Sequence, residues 1–264
     1  MAYAARRTML STGSRRGLRG SNLRRPFLSN NSSLYDRLVS YWRLDEASGA
    51  VRVDDFGGNN LANNNNVSQV AGKVGNASQF VSASEQSLSL ASNASLQTGD
   101  IDFTFAGWVY LDSLTTHRLI LSKYNGAGAA SFEYWLLYNQ TPNRFQFGVS
   151  DTGDGSDVTS VNADTLGAPS TATWYFVQAW HDAGSNVIQI RVNNAGADSA
   201  AHTGGVFAGT NVFRVGSDGP QTGFMNGRLD AWGFWKRLLT TAELNFLYNG
   251  GNGLELFPWG ADRP

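Results

Sequence analysis

The chain of 264 residues contains no cysteine, so neither a disulfide framework nor a thiolate metal site can brace it. No run approaches the roughly 18 apolar residues of a membrane span, and no transmembrane helix is expected. Charged residues make up only 16% of the chain, below the roughly 25% usual for soluble domains. The polar surface must therefore come from Asn, Ser, Thr, Gln and Gly. Histidine is scarce, and His117, His181 and His202 lie too far apart for metal-ligand spacing. Phosphate-cradling loops, dinucleotide fingerprints and the G-x-S-x-G elbow are missing too. Gly57-Gly58 and Gly204-Gly205 read as ordinary turns.

Acidic residues are absent from the first 34 positions, which hold Arg6, Arg7, Arg15, Arg16, Arg19, Arg24 and Arg25. The net charge of −1 thus splits into +7 on residues 1–34 and −8 on residues 35–264. The basic start lacks the apolar stretch of a secretory signal, and none follows the Arg6-Arg7 pair. With no sustained apolar period, residues 1–33 cannot bury enough surface to offset their ordering entropy, and they read as an extended arm. Guanidinium forks suit carboxylates, phosphates and backbone carbonyls. Interspersed apolar residues such as Leu10, Leu18 and Phe27 fit a protein surface better than nucleic acid. The arm is therefore expected to bind a larger protein assembly or neighbouring copies. An Arg- and Ser-rich, acid-free leader is also a mitochondrial targeting signature, and that alternative stays open.

From Leu34 onward, short apolar runs alternate with Gly/Asn/Asp/Ser clusters, the signature of an all-β sandwich or barrel. Strands are expected at 38–44, 78–81, 87–90, 103–111, 118–123, 132–138, 144–149, 174–181, 187–192, 212–216 and 228–236. The run FTFAGWVYL at 103–111 is apolar on both faces. It is either a central strand covered twice or a core strand with an aromatic face turned to a groove. One short helix is marked near 240–249 by the capping box Thr240…Glu243, with Leu239 and Leu244 as a hydrophobic staple and Asn249-Gly250-Gly251 as its end. It is expected to plug one end of the sandwich. Residues 34–258 read as one domain and 259–264 as a tail.

Several segments, taken in order, resemble the laminin-G-like domains of the concanavalin A-like lectin/glucanase superfamily. These are Tyr41–Gly49, Lys73–Phe80, Asp102–Leu111, Trp174–Phe176 with Trp180–Asp182, and Arg228–Trp235 followed by Leu238–Glu243 and Leu247–Gly251. One departure is that Asp230 is followed by Ala231 where the family commonly has a second acid. The resemblance implies a two-sheet antiparallel jelly roll, but not a ligand, because this fold hosts many functions.

The resemblance also implies a calcium ion at the sandwich edge, where the turn after the first strand meets the last strand. Calcium takes roughly six to eight oxygen ligands. Asp45 or Glu46, Asp54 and Asp230 match the family's side-chain ligands. The alternative leaves Asp45 and Glu46 as solvated turn acids and Asp230 as a structural hydrogen-bonding residue. No organic cofactor is implied.

Glycoside hydrolysis needs two carboxylates across a cleft. The hydrolase branch carries them as Glu-x-Asp-x-x-Glu or Glu-x-Asp-x-Glu. None of the chain's five glutamates, Glu46, Glu85, Glu133, Glu243 and Glu255, begins such a pattern. No catalytic residue is assigned, and the chain is expected not to be an enzyme. Tyr134, Trp135, Tyr138 and Trp180 are the candidates for stacking on sugar rings, with core packing as the bland alternative.

Family members with short basic leaders resemble phage and virus surface proteins. The expected function is thus a non-catalytic binding or decoration module on a larger assembly, a virion capsid or tail, docked by its arm and open to surface glycans. The location is a virion surface or extracellular. A free carbohydrate-binding lectin is the alternative, and a glycosidase the third.

Overall fold

The computed structural model describes residues 32–256 apart from 127, 129, 156 and 221. The seven arm arginines lie outside the described residues, as does the C-terminal tail. The first strand is β1 (Leu38–Trp42), followed by two short pieces, β2 (Ala62–Asn64) and β3 (Ser68–Ala71). Next come β4 (Asn76–Phe80) and β5 (Ser87–Leu90). The middle supplies β6 (Phe103–Leu111), β7 (Arg118–Tyr124), β8 (Phe132–Asn139) and β9 (Arg144–Val149). Then follow β10 (Thr159–Asn162), β11 (Trp174–Asp182), β12 (Val187–Val192) and β13 (Asp198–Ala201). β14 (Phe213–Val215), β15 (Gly227–Trp235) and the helix α1 (Thr241–Tyr248) complete the order.

These strands form two antiparallel sheets. The eight-stranded sheet runs β13-β12-β11-β6-β15-β4-β3, with β1 also paired to β15; the seven-stranded sheet runs β10-β9-β8-β7-β14-β5-β2. The expected meander of β7, β8 and β9 is present as adjacent strands. The strands not foreseen are β2, β3, β10 and β13, which sit at the ends of the two sheet paths.

Alternation assigns the faces. In β6, Phe103, Phe105, Val109 and Leu111 enter the core between the sheets, where Phe105 stacks on Phe234 of β15 at 4.5 Å between centroids. Across the same core Trp42 of β1 stacks on Phe213 of β14 at 5.4 Å. Ala106 and Trp108 face the other way, into a second apolar cluster with Tyr41, Phe176, Trp235, Leu244 and Leu247. Trp108 stacks there on Tyr248 of α1, at 5.8 Å. The double-sided apolar pattern of β6 therefore means a strand covered on both faces. Gly107 is required at its centre, because a Cβ there would lie 2.2 Å from the Trp232 ring.

The capping box of α1 is present: Thr240 Oγ1 accepts from the Glu243 backbone N–H at 3.2 Å, and Glu243 Oε2 accepts from the Thr240 N–H at 2.8 Å. Arg237 adds a two-pronged contact to Glu243 at 2.8 and 2.9 Å. The helix does not plug an end of the sandwich as expected. Leu239, Leu244 and Leu247 press it onto the outer face of the eight-stranded sheet, because that face offers the Trp108 and Trp235 rings to bury.

Candidate functional site

The outer face of the seven-stranded sheet has no helix across it among the described residues. Its surface follows from strand register. In β8, Tyr134, Leu136 and Tyr138 turn into the core, which leaves Trp135, Leu137 and Asn139 facing outward. Directly opposite residues of antiparallel neighbours share a face. Trp135 pairs with Gly148 of β9 and Ser122 of β7, and Leu137 pairs with Gln146 and Leu119.

A half-open pocket of about 320 Å³ lies on this face. Leu119 and Leu137 provide an apolar floor, and Trp135 and Tyr124 stand edge to face with centroids 5.6 Å apart. Trp135 is held tightly from beneath, because a Cβ at Gly148 would come within 2.3 Å of its Nε1. That indole N–H is buried and meets no acceptor among the described residues. Polar groups ring the pocket. Asn139 Nδ2 donates to Gln146 Oε1 at 3.1 Å, and Gln146 Nε2 donates to Asn162 Oδ1 at 3.0 Å, so an amide ladder crosses three strands. On the other side Asp218 accepts from the Thr222 backbone N–H at 2.8 Å and its hydroxyl at 2.9 Å. Burial raises the Tyr124 phenol above its ordinary range, and the nearby Asp218 charge adds to this, so the hydroxyl stays protonated.

Of the four aromatics proposed from sequence, Trp135 alone lines this pocket. Tyr134 and Tyr138 are corrections: they are 0% and 1% exposed and pack between the sheets, so neither can offer a face to a ligand. Trp180 belongs to the eight-stranded sheet, where it packs against the second apolar cluster and its Nε1 donates to Gln189 Oε1 at 2.8 Å. Sequence reasoning missed Tyr124, Asn139, Gln146, Asp218 and Thr222. The period-two alternation in β8 could have separated Trp135 and Asn139 from their core neighbours.

The expected calcium ligands do not fit an ion as they are arranged. Among the described residues no group of three or more His, Cys, Asp or Glu could hold one. Asp54 already accepts the backbone N–H groups of Tyr41, Phe56 and Asn59 at 2.8–3.0 Å. Asp230 Oδ2 accepts those of Lys73 and Val74 at 2.6 and 2.8 Å, and Glu46 accepts that of Val53 at 2.6 Å. Backbone donors thus meet at least one oxygen of each carboxylate, while Glu46 Oε2 has no hydrogen bond among the described residues and lies 3.6 Å from the Arg52 guanidinium. Nearby, the Arg43 guanidinium supplies positive charge instead, 2.7 Å from Asp55, 3.1 Å from Glu255 and 3.6 Å from Asp45.

Glu133 is fully buried and paired with Lys123 at 2.5 Å. Its oxygens also accept the Thr98 N–H and hydroxyl, both at 2.7 Å, and the Gly209 N–H at 2.9 Å. Asp218 is the carboxylate that lines the pocket.

Two packed antiparallel sheets with one open sheet face define a jelly-roll sandwich. A laminin G family model of the concanavalin A-like lectin/glucanases superfamily matches residues 82–245, more than half of the chain, and the chain belongs to that superfamily. No curated protein matches it in sequence. Among solved structures it is similar to the binding domain of paraclostridial mosquitocidal protein 1, at a TM-score of 0.63 and 14% identity over 81% of this chain and 52% of that one. It is also similar to domain 4 of a GH43 extracellular arabinanase from Geobacillus stearothermophilus, solved in complex with arabinotriose. That match has a TM-score of 0.59 and 17% identity, and covers 80% of this chain and 97% of the other. The botulinum neurotoxin serotype D ligand-binding domain, solved with N-acetylneuraminic acid, matches at 0.60 and 12% identity over 84% of this chain and 53% of that chain. The chain thus spans about half the length of the two toxin domains. At these identities the likeness shows the fold.

Proposed function

We propose that the chain is a non-catalytic carbohydrate-binding module that receives a sugar on the outer face of its seven-stranded sheet. The observation that carries this is the pocket around Trp135: an aromatic and aliphatic floor ringed by amide, hydroxyl and carboxylate groups. Sugar rings have apolar faces and polar edges, and such a lining complements both. The similar domains solved with arabinotriose and with N-acetylneuraminic acid support the same reading. Hydrolysis is not part of it. Glu133 is committed to Lys123, and one pocket carboxylate does not make the required pair.

The test is a titration of the full chain with lactose, sialyllactose and arabinotriose, followed by tryptophan fluorescence and calorimetry. Trp135→Ala is expected to weaken sugar binding at least tenfold, and Trp180→Ala, on the other sheet, to leave it unchanged. Wild-type affinity in Trp135→Ala, or no binding of any sugar by the wild type, would overturn the reading.

Display on a larger assembly such as a virion, through the arginine-rich arm, is the finer part of the proposal and rests on the sequence of residues 1–33. Deleting those residues is expected to leave sugar binding intact and abolish co-sedimentation with the particle. Normal incorporation of the truncated chain would refute it.

A further inference from the structure

Beside the Trp135 pocket, the same sheet face carries a guanidinium, Arg214, that has no hydrogen-bond partner among the described residues, although the Asp218 charge acts on it. In β14, Phe213 and Val215 enter the core, so Arg214 points outward. Arg214 lies opposite Ser122 of β7 on one side and Ser89 of β5 on the other. Ser122 in turn lies opposite Trp135. Trp135, Ser122, Arg214 and Ser89 therefore form one cross-strand row on one face. Trp135 and Arg214 stand two strands apart, roughly 10 Å at the usual inter-strand spacing.

Arg214 borders a second pocket of about 380 Å³ with Asn64, Ser87, Ser89, Glu85 and Val212. Its guanidinium makes no hydrogen bond or ion pair with any described residue, and its Nη1 is buried and orphaned. The other inward-lying arginines are engaged: Arg52 with Ser78, Arg118 with the Phe224 carbonyl, Arg191 with Asn245 and Arg237 with Glu243. Asp218 offsets part of the burial cost of this charge, but donors left without acceptors in a half-buried guanidinium remain costly. The fork of donors also matches an anionic group with two oxygens. Hydroxyl and amide groups surround it, and Asn64 Nδ2 is steadied by Ser89 Oγ at 3.0 Å. These are suited to sugar hydroxyls rather than to a bare ion.

We infer that the pocket around Arg214 is a second subsite of the same face, and that the chain prefers a glycan carrying a single anionic group, a carboxylate or a sulfate ester, placed on Arg214 while a neighbouring sugar rests on Trp135. Glu85, exposed at the rim, and the −8 charge of residues 35–264 oppose a polyanion but leave one paired anionic group favourable. This inference rests on the sugar-binding reading above.

The experiment compares lactose, sialyllactose and sulfated lactose on the wild-type full chain, Arg214→Gln, Arg214→Lys and Trp135→Ala, with circular dichroism as the folding control. The wild type is expected to bind at least one anionic sugar tenfold or more tighter than lactose, and the tighter of the two identifies the group. Arg214→Gln should bind all three with similar affinity, while Arg214→Lys keeps part of the preference. No preference in the wild type, or an undiminished preference in Arg214→Gln, overturns the inference and leaves the sugar-binding reading standing. A preference abolished by Arg214→Gln but unaffected by Trp135→Ala upholds Arg214 and removes Trp135 from the site. Absence of binding by the wild type to all three overturns both.

Discussion

Replacing Asp230 by Asn is expected to stabilise the sandwich at pH 8 and change little at pH 4. Asp230 lies opposite Trp108 on β6, 1% exposed. Burial pushes its carboxyl up from 3.8 to about 7; the Lys73 and Val74 backbone N–H groups oppose the rise, while the charges of Asp45 and Glu255 add to it. The folded state therefore holds the proton more tightly than the unfolded chain. Stability falls as pH rises from about 4 to about 7, and the penalty is complete above 7. At ~1.4 kcal/mol per pH unit the rise corresponds to ~4 kcal/mol. The amide oxygen of Asn can still accept from Lys73 and Val74, so most of that penalty should be relieved. For a domain of this size the melting temperature at pH 8 would rise by roughly 10 °C. Urea unfolding of wild type and Asp230→Asn at pH 4, 6 and 8 reads the effect directly. A difference between them that stays constant from pH 4 to pH 8 would refute the assigned protonation.

Two further outcomes follow from the buried charges. Lys123→Met strands Glu133 in the interior and should cost ~3–5 kcal/mol in urea unfolding, with the double variant carrying Glu133→Gln recovering part of the loss. A chelator should leave the melting temperature unchanged, since Asp54, Asp230 and Glu46 are met by backbone donors; a clear drop with calcium found by elemental analysis would reinstate the ion.

The long strands and the capped helix were legible because each buries a repeating apolar set. FTFAGWVYL of β6 and the Thr240…Glu243 box stand where the pattern placed them. The four unforeseen strands read ANN, SQVA, TSVN and DSAA, and each lies at the end of a sheet path. An edge strand forms by pairing its backbone with one neighbour and packs little side-chain surface, so its sequence carries little period. The candidate site was legible only in Trp135. Tyr134 and Tyr138 look equally suitable in the sequence, since aromatic character does not say which face of a strand meets the core.

The amino-acid sequence by itself determined the local choices: all-β texture, the helix cap, and the family landmarks in their order. These depend on neighbours along the chain, through alternation, capping and turn chemistry. Tertiary structure alone decided which faces are covered. Both sheets carry tryptophans on their outer sides, yet α1 settles on Trp108, and no helix among the described residues covers the sheet face of Trp135. It also decided that Arg214, from a three-residue strand far along the chain, stands two strands from Trp135 with no hydrogen bond to a described residue. Such neighbours are set by cross-strand register, and register is a property of the assembled sheet rather than of any one segment.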